Sequence, residues 1–185
     1  SIADLRGLCD KLRDEHKKQY AEAVTHVQEA EADAFAELMK IKCHAPEGGK
    51  WRQPSHCADT ISLYAGALAS VPALYALGED VSAGHATSIQ WSVKKPDRFF
   101  KKALQKYAND VTKVTDVARI SLVFETVQHI VDAVKRLLDP YHAIVFKNRF
   151  VQQADGGYCD VLTQVRLPDQ ICEVQLHLKP IYDLK

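Results

Sequence analysis

The chain has no net charge and no long apolar run. Its 185 residues carry 24 lysines and arginines against 24 aspartates and glutamates, so no overall field attracts it to nucleic acid or to an anionic membrane. No apolar run approaches the roughly 18 residues that a transmembrane helix needs. The polar, charged N-terminus does not resemble a signal peptide. These absences predict a cytoplasmic protein whose partners include neither DNA nor a membrane.

Cysteines are few, odd in number and scattered. They are Cys9, Cys43, Cys57, Cys159 and Cys172. A disulfide framework usually has an even number of cysteines, so this pattern indicates a reducing compartment. The doublets Cys43-His44 and His56-Cys57 lack the C-x₂₋₄-C spacing of zinc sites, and we interpret them as loop residues.

The first part of the chain has the pattern of a helical region. Apolar residues recur at three- and four-residue steps over 2–42, which predicts one long helix or two. Residues 44–57 contain prolines and glycines without a period, which predicts a loop. A further helix is predicted over 60–77, kinked or split at Pro72, with Gly78 as its C-terminal cap.

A polar loop then leads into a basic stretch. A helix is predicted from about Asp97 to Tyr107, with Pro96 in its first turn. Its cations are spaced by three and four residues, so they can share one face and clamp a polyphosphate, although a solvated basic helix is the simpler interpretation of this stretch alone.

Beyond Asn109, short strands alternate with one helix. Strands are predicted over 119–124, 143–146, 158–165 and 170–178, and a helix over 126–138, ended by Asp139-Pro140. Strand, helix and strand followed by a hairpin predict an α+β fold, in which helices flank a small mixed sheet. We expect 1–85 to be a helical N-terminal region that packs on a core formed by 86–185.

Two carboxylates stand out in this core. Asp116 comes just before the first of these strands, and Glu173 lies inside the last one. Carboxylates on neighbouring strands can hold one hard cation, and Mg²⁺ takes one or two carboxylates together with substrate phosphate oxygens. Gln175 shares a strand face with Glu173 and suits contact with a nucleotide. A solvent-facing position is the alternative for both residues.

Tyr158 follows a pair of glycines. Glycine lets the backbone approach a ligand closely, and a tyrosine ring placed there could stack on a nucleobase. A tyrosine that packs at the start of a strand is the simpler alternative.

These elements occur in a recognisable order: a basic helix, Asp-x-x-Arg entering a strand, Gly-Tyr, and Glu-x-Gln within a strand. The order resembles the RelA/SpoT nucleotidyltransferase domain, the synthetase module of (p)ppGpp enzymes, over roughly 92–178. The resemblance implies that Asp116 binds metal, that Tyr158 stacks on a guanine acceptor, and that Glu173 is the catalytic carboxylate. Lys94 and Lys102 fall where the family has lysines on the ATP side, whereas a serine takes the place of its arginine.

The resemblance implies a Mg²⁺-dependent pyrophosphokinase without hydrolase activity. The 3′-hydroxyl of a guanosine nucleotide would attack the β-phosphorus of ATP, and AMP would leave. Asp116 and Glu173 would hold Mg²⁺, and Glu173 would also take the hydroxyl proton. Lys94, Lys102 and Arg119 would offset the charge on the phosphates. The implied partners are ATP and an acceptor nucleotide, while a homo-oligomer and a place in a larger multidomain chain stay open.

The acceptor side departs from the family pattern. A lysine before Gly-Tyr and a histidine-containing run after it are replaced by Gln152-Gln153-Ala154-Asp155 and Cys159-Asp160-Val161-Leu162. Two alternatives therefore stay open. One is a catalytically degenerate domain that serves as a nucleotide-binding or regulatory module, and the other is a toxin-like relative whose acceptor is an adenine nucleotide or RNA.

Lys147 and Arg149 are two cations that precede the Gly-Tyr pair. We hypothesise that they replace the missing positive charge on the acceptor side. Replacing both with alanine is expected to raise the KM for the acceptor, because its phosphates lose two opposite charges. Steady-state kinetics with varied acceptor measures the effect, and an unchanged KM rejects the hypothesis.

Overall fold

Seven helices form most of the described chain. The computed structural model describes residues 2–42, 51–138, 143–154 and 156–185. The helices are α1 (Ile2–Ala30), α2 (Ala32–Lys40), α3 (Thr60–Ala69), α4 (Val71–Ser82), α5 (Pro96–Tyr107), α6 (Val127–Leu138) and α7 (Lys179–Tyr182). None of these described helices alone is long and apolar enough to cross a membrane, and α3 and α4 pass that test only as a pair bent by 45°.

Five strands form one mixed sheet. They are β1 (Ala86–Val93), β2 (Ala118–Phe124), β3 (Val145–Asn148), β4 (Val161–Arg166) and β5 (Ile171–Leu178). Their order in the sheet is β1-β2-β5-β4-β3. The pair β2 and β5 is parallel, and the other neighbours are antiparallel. The predicted α+β fold, a small mixed sheet flanked by helices with helices at the N-terminus, is confirmed.

The two faces of the sheet differ in chemistry. In β2, Ile120 and Leu122 are fully buried and lie against α4. Their register partners on β5 are also apolar, so this face forms the hydrophobic core. Because side chains alternate along a strand, Arg119 and Glu173 share the opposite face. The second face is therefore polar and carries the predicted site residues.

Local signals explain where several helices begin. Asp59 caps α3, because its carboxylate accepts hydrogen bonds from the backbone N–H groups of Ile61 and Ser62 at 2.8 and 2.9 Å. The predicted break near Pro72 falls at Ser70, where α3 gives way to α4. Glu31, between α1 and α2, accepts a 2.9 Å hydrogen bond from the backbone N–H of Val127. This contact ties the N-terminal helices to the start of α6.

The predicted role of Gly78 is wrong. Gly78 lies inside α4, which continues to Ser82, and the left-handed residue after the helix is Ala83 with φ of 47°. A Cβ on Gly78 would lie 2.6 Å from Ile120 Cδ1, so the glycine permits the close approach of α4 to β2. Contact with a strand far along the sequence, and not the end of the helix, explains this glycine.

The strand β1 is a second difference, since a polar loop and a basic run were expected there. β1 is an edge strand with several exposed side chains, and its residues Ile89, Trp91 and Val93 alternate with polar residues, which is a strand signal. Antiparallel pairing with β2 completes the strand. The strands β3 and β4 begin two and three residues later than predicted. Part of the predicted loop 44–57, the doublet Cys43-His44 and the helix end at Asp139-Pro140 lie outside the described residues.

We predict that Gly78→Val lowers the free energy of unfolding by about 1–3 kcal/mol, because the added side chain overpacks the contact with β2. The matched control is Gly7→Val in α1, where a Cβ would meet nothing within 4 Å. That variant is expected to be neutral or slightly stabilising, since glycine is the weaker helix former. Urea unfolding measures both changes, and equal effects would contradict the close packing of α4 on β2.

Candidate active site

Asp116 lies just before β2 and is 7% exposed. Its Oδ2 atom accepts hydrogen bonds from the ammonium groups of Lys94 and Lys102, each at 2.8 Å. Lys94 follows β1, and Lys102 lies on α5. The Tyr64 hydroxyl of α3 donates a 2.7 Å hydrogen bond to the carbonyl of Lys94. The carboxylate therefore joins the ends of two strands to the basic helix.

The two lysines control the charge of Asp116. Burial raises the pKa of the Asp116 carboxyl, but the charges and hydrogen bonds of Lys102 and Lys94 outweigh it, so the pKa lies below its ordinary value. The other oxygen, Oδ1, is buried without a hydrogen-bond partner among the described residues. Asp116 is thus an ionised carboxylate with one oxygen left for another ligand.

Glu173 lies in the middle of the sheet and is 5% exposed. Its register partners are Arg119 on β2 and Gln164 on β4, and its Oε1 accepts a 2.8 Å hydrogen bond from Gln175 Nε2. Burial, followed by the negative charge of Asp116, raises the pKa of the Glu173 carboxyl, although Arg119 opposes the shift. The pKa values of two neighbouring carboxyls are therefore pushed in opposite directions, an arrangement that suits acid–base chemistry.

Both carboxylates line one cavity of about 690 Å³, which we call the first cavity. Four lysines also line it: Lys102, Lys106, Lys113 and Lys147. Two aromatic side chains, Trp51 and Tyr107, complete the set that bears on ligand binding. A volume of this size is typical of small-molecule sites, and the lysines favour an anionic ligand.

Arg119 approaches the same centre from β2. It is opposite Glu173 in the parallel register, and its charge counters the raised pKa of that carboxyl. Its Nε atom is buried without a hydrogen-bond partner in the described part of the chain. A guanidinium with an unused donor on the polar face can bind a phosphate oxygen.

A second cavity of about 650 Å³ lies on the other side of Gln175. Its lining includes Arg149, Tyr158, Gln175 and Lys185, together with Leu12, Arg13, His16 and Tyr20 from α1. Gln175 lines this second cavity while it donates to Glu173 of the first, and Ser121 donates to Gln175 at 3.2 Å. The two cavities therefore meet at the hydrogen bond between Gln175 and Glu173.

Tyr158 is surrounded on several sides. Its hydroxyl and His177 Nδ1 share a 2.8 Å hydrogen bond, and Tyr20 of α1 contacts its ring edge to face at 5.4 Å. The ammonium of Lys185 lies 5.0 Å from the ring centre. Burial lowers the pKa of His177 to about 3, so this imidazole is neutral at physiological pH. The ring is held in place beside the second cavity.

The two cations that were predicted to serve the acceptor line a shared cavity of about 630 Å³, but they differ in which of the first and second cavities they line. Lys147 lines the first cavity, whereas Arg149 lines the second. Arg149 forms an ion pair with Asp160, in which Nη2 donates to Oδ2 at 2.7 Å. The Asp160 side chain is only 1% exposed, so its charge offsets much of the guanidinium charge at this position.

Three further residues of the first cavity differ in their sequence signals. Lys106 belongs to the basic face of α5 that was predicted to clamp a polyphosphate. Lys113 and Trp51 had no sequence signal, since they lie in segments that connect the main helices and strands and carry no motif. Only the folded chain brings them to the carboxylates.

The carboxylates that line the first cavity are suitable ligands for a magnesium ion that is bound together with a phosphate. No group of three or more His, Cys, Asp or Glu residues that could hold a metal occurs within the described ranges. Mg²⁺ needs no such cage, because it usually takes one or two carboxylates and completes its shell with water and substrate oxygens. Asp116 Oδ1, buried and unpartnered, is a suitable ligand, and Glu173 lines the same cavity.

The raised pKa of Glu173 predicts a stability that depends on pH. Above about 4.3, the pKa of glutamate in an unfolded chain, the folded protein retains the Glu173 proton longer, so stability falls as the pH rises through the raised folded pKa. We expect Glu173→Gln to be more stable than the parent at pH 8. The gain is about 1.4 kcal/mol for every tenfold difference in the acid dissociation constant of Glu173 between the folded and unfolded protein.

Denaturant unfolding at pH 8 and pH 4 measures this difference, which should shrink at pH 4. The exposed Glu79 supplies the control Glu79→Gln, for which no such pH-dependent gain is expected. A Glu173→Gln variant that is less stable at pH 8 would show that burial imposes no cost on this carboxylate.

Comparison with known proteins finds likeness in structure only. No protein-family model and no curated protein matches the chain. The small alarmone synthetase 1 from Bacillus subtilis, bound to its product pppGpp, matches 63% of this chain and 70% of its own, with a TM-score of 0.55 and 12% identity. A GTP pyrophosphokinase family protein from Streptococcus pneumoniae matches 64% of this chain and 68% of its own, with a TM-score of 0.53 and 13% identity.

A third match is the complex of the Type VI effector Tas1 with its immunity protein. It covers 65% of this chain and 62% of the matched chain, with a TM-score of 0.52 and 21% identity. Likeness at these identities concerns architecture, and it agrees with the mixed sheet and flanking helices described above. The chain has the fold of a RelA/SpoT-like (p)ppGpp synthetase.

Proposed function

We propose that the protein is a pyrophosphokinase, which transfers pyrophosphate from ATP to the 3′-hydroxyl of an acceptor nucleotide. The observation that carries this proposal is the pair of buried carboxylates, Asp116 and Glu173, which line one cavity with four lysines and have oppositely shifted pKa values. The fold likeness supports it, because one of the similar structures holds pppGpp and another is described as a GTP pyrophosphokinase family protein.

In this proposal, Glu173 is the general base. Its raised pKa makes it a better proton acceptor than an ordinary carboxylate, and it would take the proton of the acceptor 3′-hydroxyl. The hydroxyl oxygen forms a bond to the β-phosphorus of ATP as the bond from that phosphorus to the AMP oxygen breaks. AMP leaves with the electron pair, so the β- and γ-phosphates move together to the acceptor.

Cations on the polar face would stabilise the phosphates during this transfer. Lys94 and Lys102 hold Asp116 and can turn toward a phosphate, and Arg119 has an unpaired Nε beside Glu173. Mg²⁺, bound by Asp116 and Glu173 together with the nucleotide, would neutralise charge on the transferred group. Positioning and charge stabilisation account for most catalysis in phosphoryl transfer.

The second cavity is the proposed acceptor site. Tyr158 and Gln175 line it, and Gln175 also bonds to Glu173, so an acceptor bound there would place its ribose near the base. A guanosine nucleotide is the acceptor that the fold likeness favours.

An adenine nucleotide or RNA is the second candidate acceptor. The observation behind it is the ion pair between Arg149 and Asp160, which leaves less positive charge beside Tyr158 and departs from the family pattern on the acceptor side. The fold likeness to the complex that contains the Type VI effector Tas1 supports a toxin-like relative. A catalytically silent nucleotide-binding module is the remaining alternative, and it differs from both in transferring no label.

Label transfer from γ-labelled ATP tests the proposal. We expect Mg²⁺-dependent transfer to at least one of GDP, GTP, ADP, ATP or bulk tRNA. Glu173→Gln is expected to lower the rate by about 10²- to 10⁴-fold, the usual contribution of a general base. Lys94→Gln should also slow transfer, because it removes a cation that contacts Asp116.

The matched control is Lys95→Gln, which changes the exposed neighbour of Lys94 and should leave the rate unchanged. Transfer to GDP or GTP supports the guanosine acceptor, and transfer to ADP, ATP or tRNA supports the second candidate. Absence of transfer to all five acceptors overturns the enzyme proposal and favours the binding module.

A further inference from the structure

Trp51 brings an indole ring to a cavity whose lining includes four lysines and two carboxylates. It is half-buried and lies four residues before a short 3₁₀ turn over Ser55–Cys57. The guanidinium carbon of Arg166, at the end of β4, lies 6.0 Å from the centre of the Trp51 ring. Indole and guanidinium therefore form a cation–π pair beside the first cavity.

The backbone on the C-terminal side of Trp51 is anchored firmly. Arg52 Nη1 donates to Asp110 at 2.6 Å and to Thr112 at 2.8 Å. Gln53 is 5% exposed, and its side chain accepts from the backbone N–H of Ile171 at 2.9 Å while it donates to the carbonyl of Val114 at 3.2 Å. These bonds tie the segment to the start of β5 and to the chain just before Asp116, so the backbone next to Trp51 is anchored beside the first cavity.

The composition of the first cavity indicates a ligand with two chemically different parts. Lysines and the buried carboxylates suit a polyphosphate and its cation, but a polyphosphate gains nothing from an indole. A flat aromatic base gains from one, because bases stack on aromatic side chains and on guanidinium planes. The other ring of the cavity, Tyr107, lies beside Lys102, whose ammonium is bonded to Asp116, so it is nearer to the carboxylates.

We propose that Trp51, backed by Arg166, is the base-stacking platform for the nucleoside triphosphate that enters the first cavity. This inference rests on the proposed function, in which that nucleotide is the pyrophosphate donor. The phosphates lie among the lysines next to Asp116, and the base lies at Trp51. The segment that carries Trp51 is thereby part of the nucleotide site.

The chain has two tryptophans, so fluorescence can isolate this one. Trp91 is on the edge strand β1, is paired in register with the core residue Ile120, and does not line the first cavity. In the Trp91→Phe variant, Trp51 is the only tryptophan. An ATP analogue with a methylene bridge between its α- and β-phosphates is expected to change the Trp51 emission, whereas tripolyphosphate is expected to bind without this change.

Calorimetry of Trp51→Ala gives the second measurement. The Kd for the analogue is expected to rise about 5- to 150-fold, the usual effect of removing one stacked aromatic. The Kd for tripolyphosphate should stay the same, which shows that the variant is folded and its lysines are intact. Trp51→Phe should recover most of the affinity, and Trp91→Ala should bind both ligands as the parent does.

The platform is overturned if Trp51→Ala binds the analogue as tightly as the parent does, or if its affinities for analogue and tripolyphosphate fall together. These results are independent of catalysis. A parent protein that transfers pyrophosphate, with an unchanged KM for ATP in Trp51→Ala, retains the proposed function and loses the platform. A parent protein that binds the analogue at Trp51 but transfers nothing retains the platform and loses the function.

Discussion

The parallel pairing of β2 with β5 is the constraint on which the site depends. It places Arg119 beside Glu173 and Ser121 beside Gln175. Asp116, three residues before Arg119, thereby reaches the same end of the sheet as Glu173. Parallel strands need a long crossover connection, and here α6, β3 and β4 all lie between the two in sequence. Any loss of this register would separate the carboxylates.

The two carboxylates, Asp116 and Glu173, are compensated unequally by neighbouring positive charges. Two lysines hold the pKa of Asp116 below its ordinary value, whereas burial and the charge of Asp116 raise the pKa of Glu173 despite the opposing charges of Arg119, Lys102 and Lys94. A fully compensated pair would be more stable but a poorer base, because its proton affinity would be lower. The free energy that it costs to bury an incompletely compensated carboxylate is thus confined to the proposed catalytic site. Burial of the apolar face of the sheet offsets this cost.

The N-terminal helices are attached to the core at two places. Glu31 caps α6, and Tyr20 packs against Tyr158. Gly157 has a φ of 81°, and a Cβ there would lie 3.3 Å from the Lys17 backbone, so α1 approaches the Gly-Tyr turn closely. Five residues of α1 consequently line the second cavity beside Gln175: Cys9, Leu12, Arg13, His16 and Tyr20. The helical extension therefore shapes the proposed acceptor site as well as packing on the sheet.

The sequence by itself determined the helices with strong periodicity, the α+β class and the order of the motifs, because these depend on local spacing and composition. Tertiary structure alone decided the role of Gly78 and the position of Trp51, since each depends on a partner that is distant in sequence. It also placed Lys147 at the first cavity and Arg149 at the second, although both line a shared cavity of about 630 Å³. Arg149 lies just after β3 and pairs with Asp160, just before β4. No local pattern specifies this partner, because only the pairing of the two strands brings the residues together.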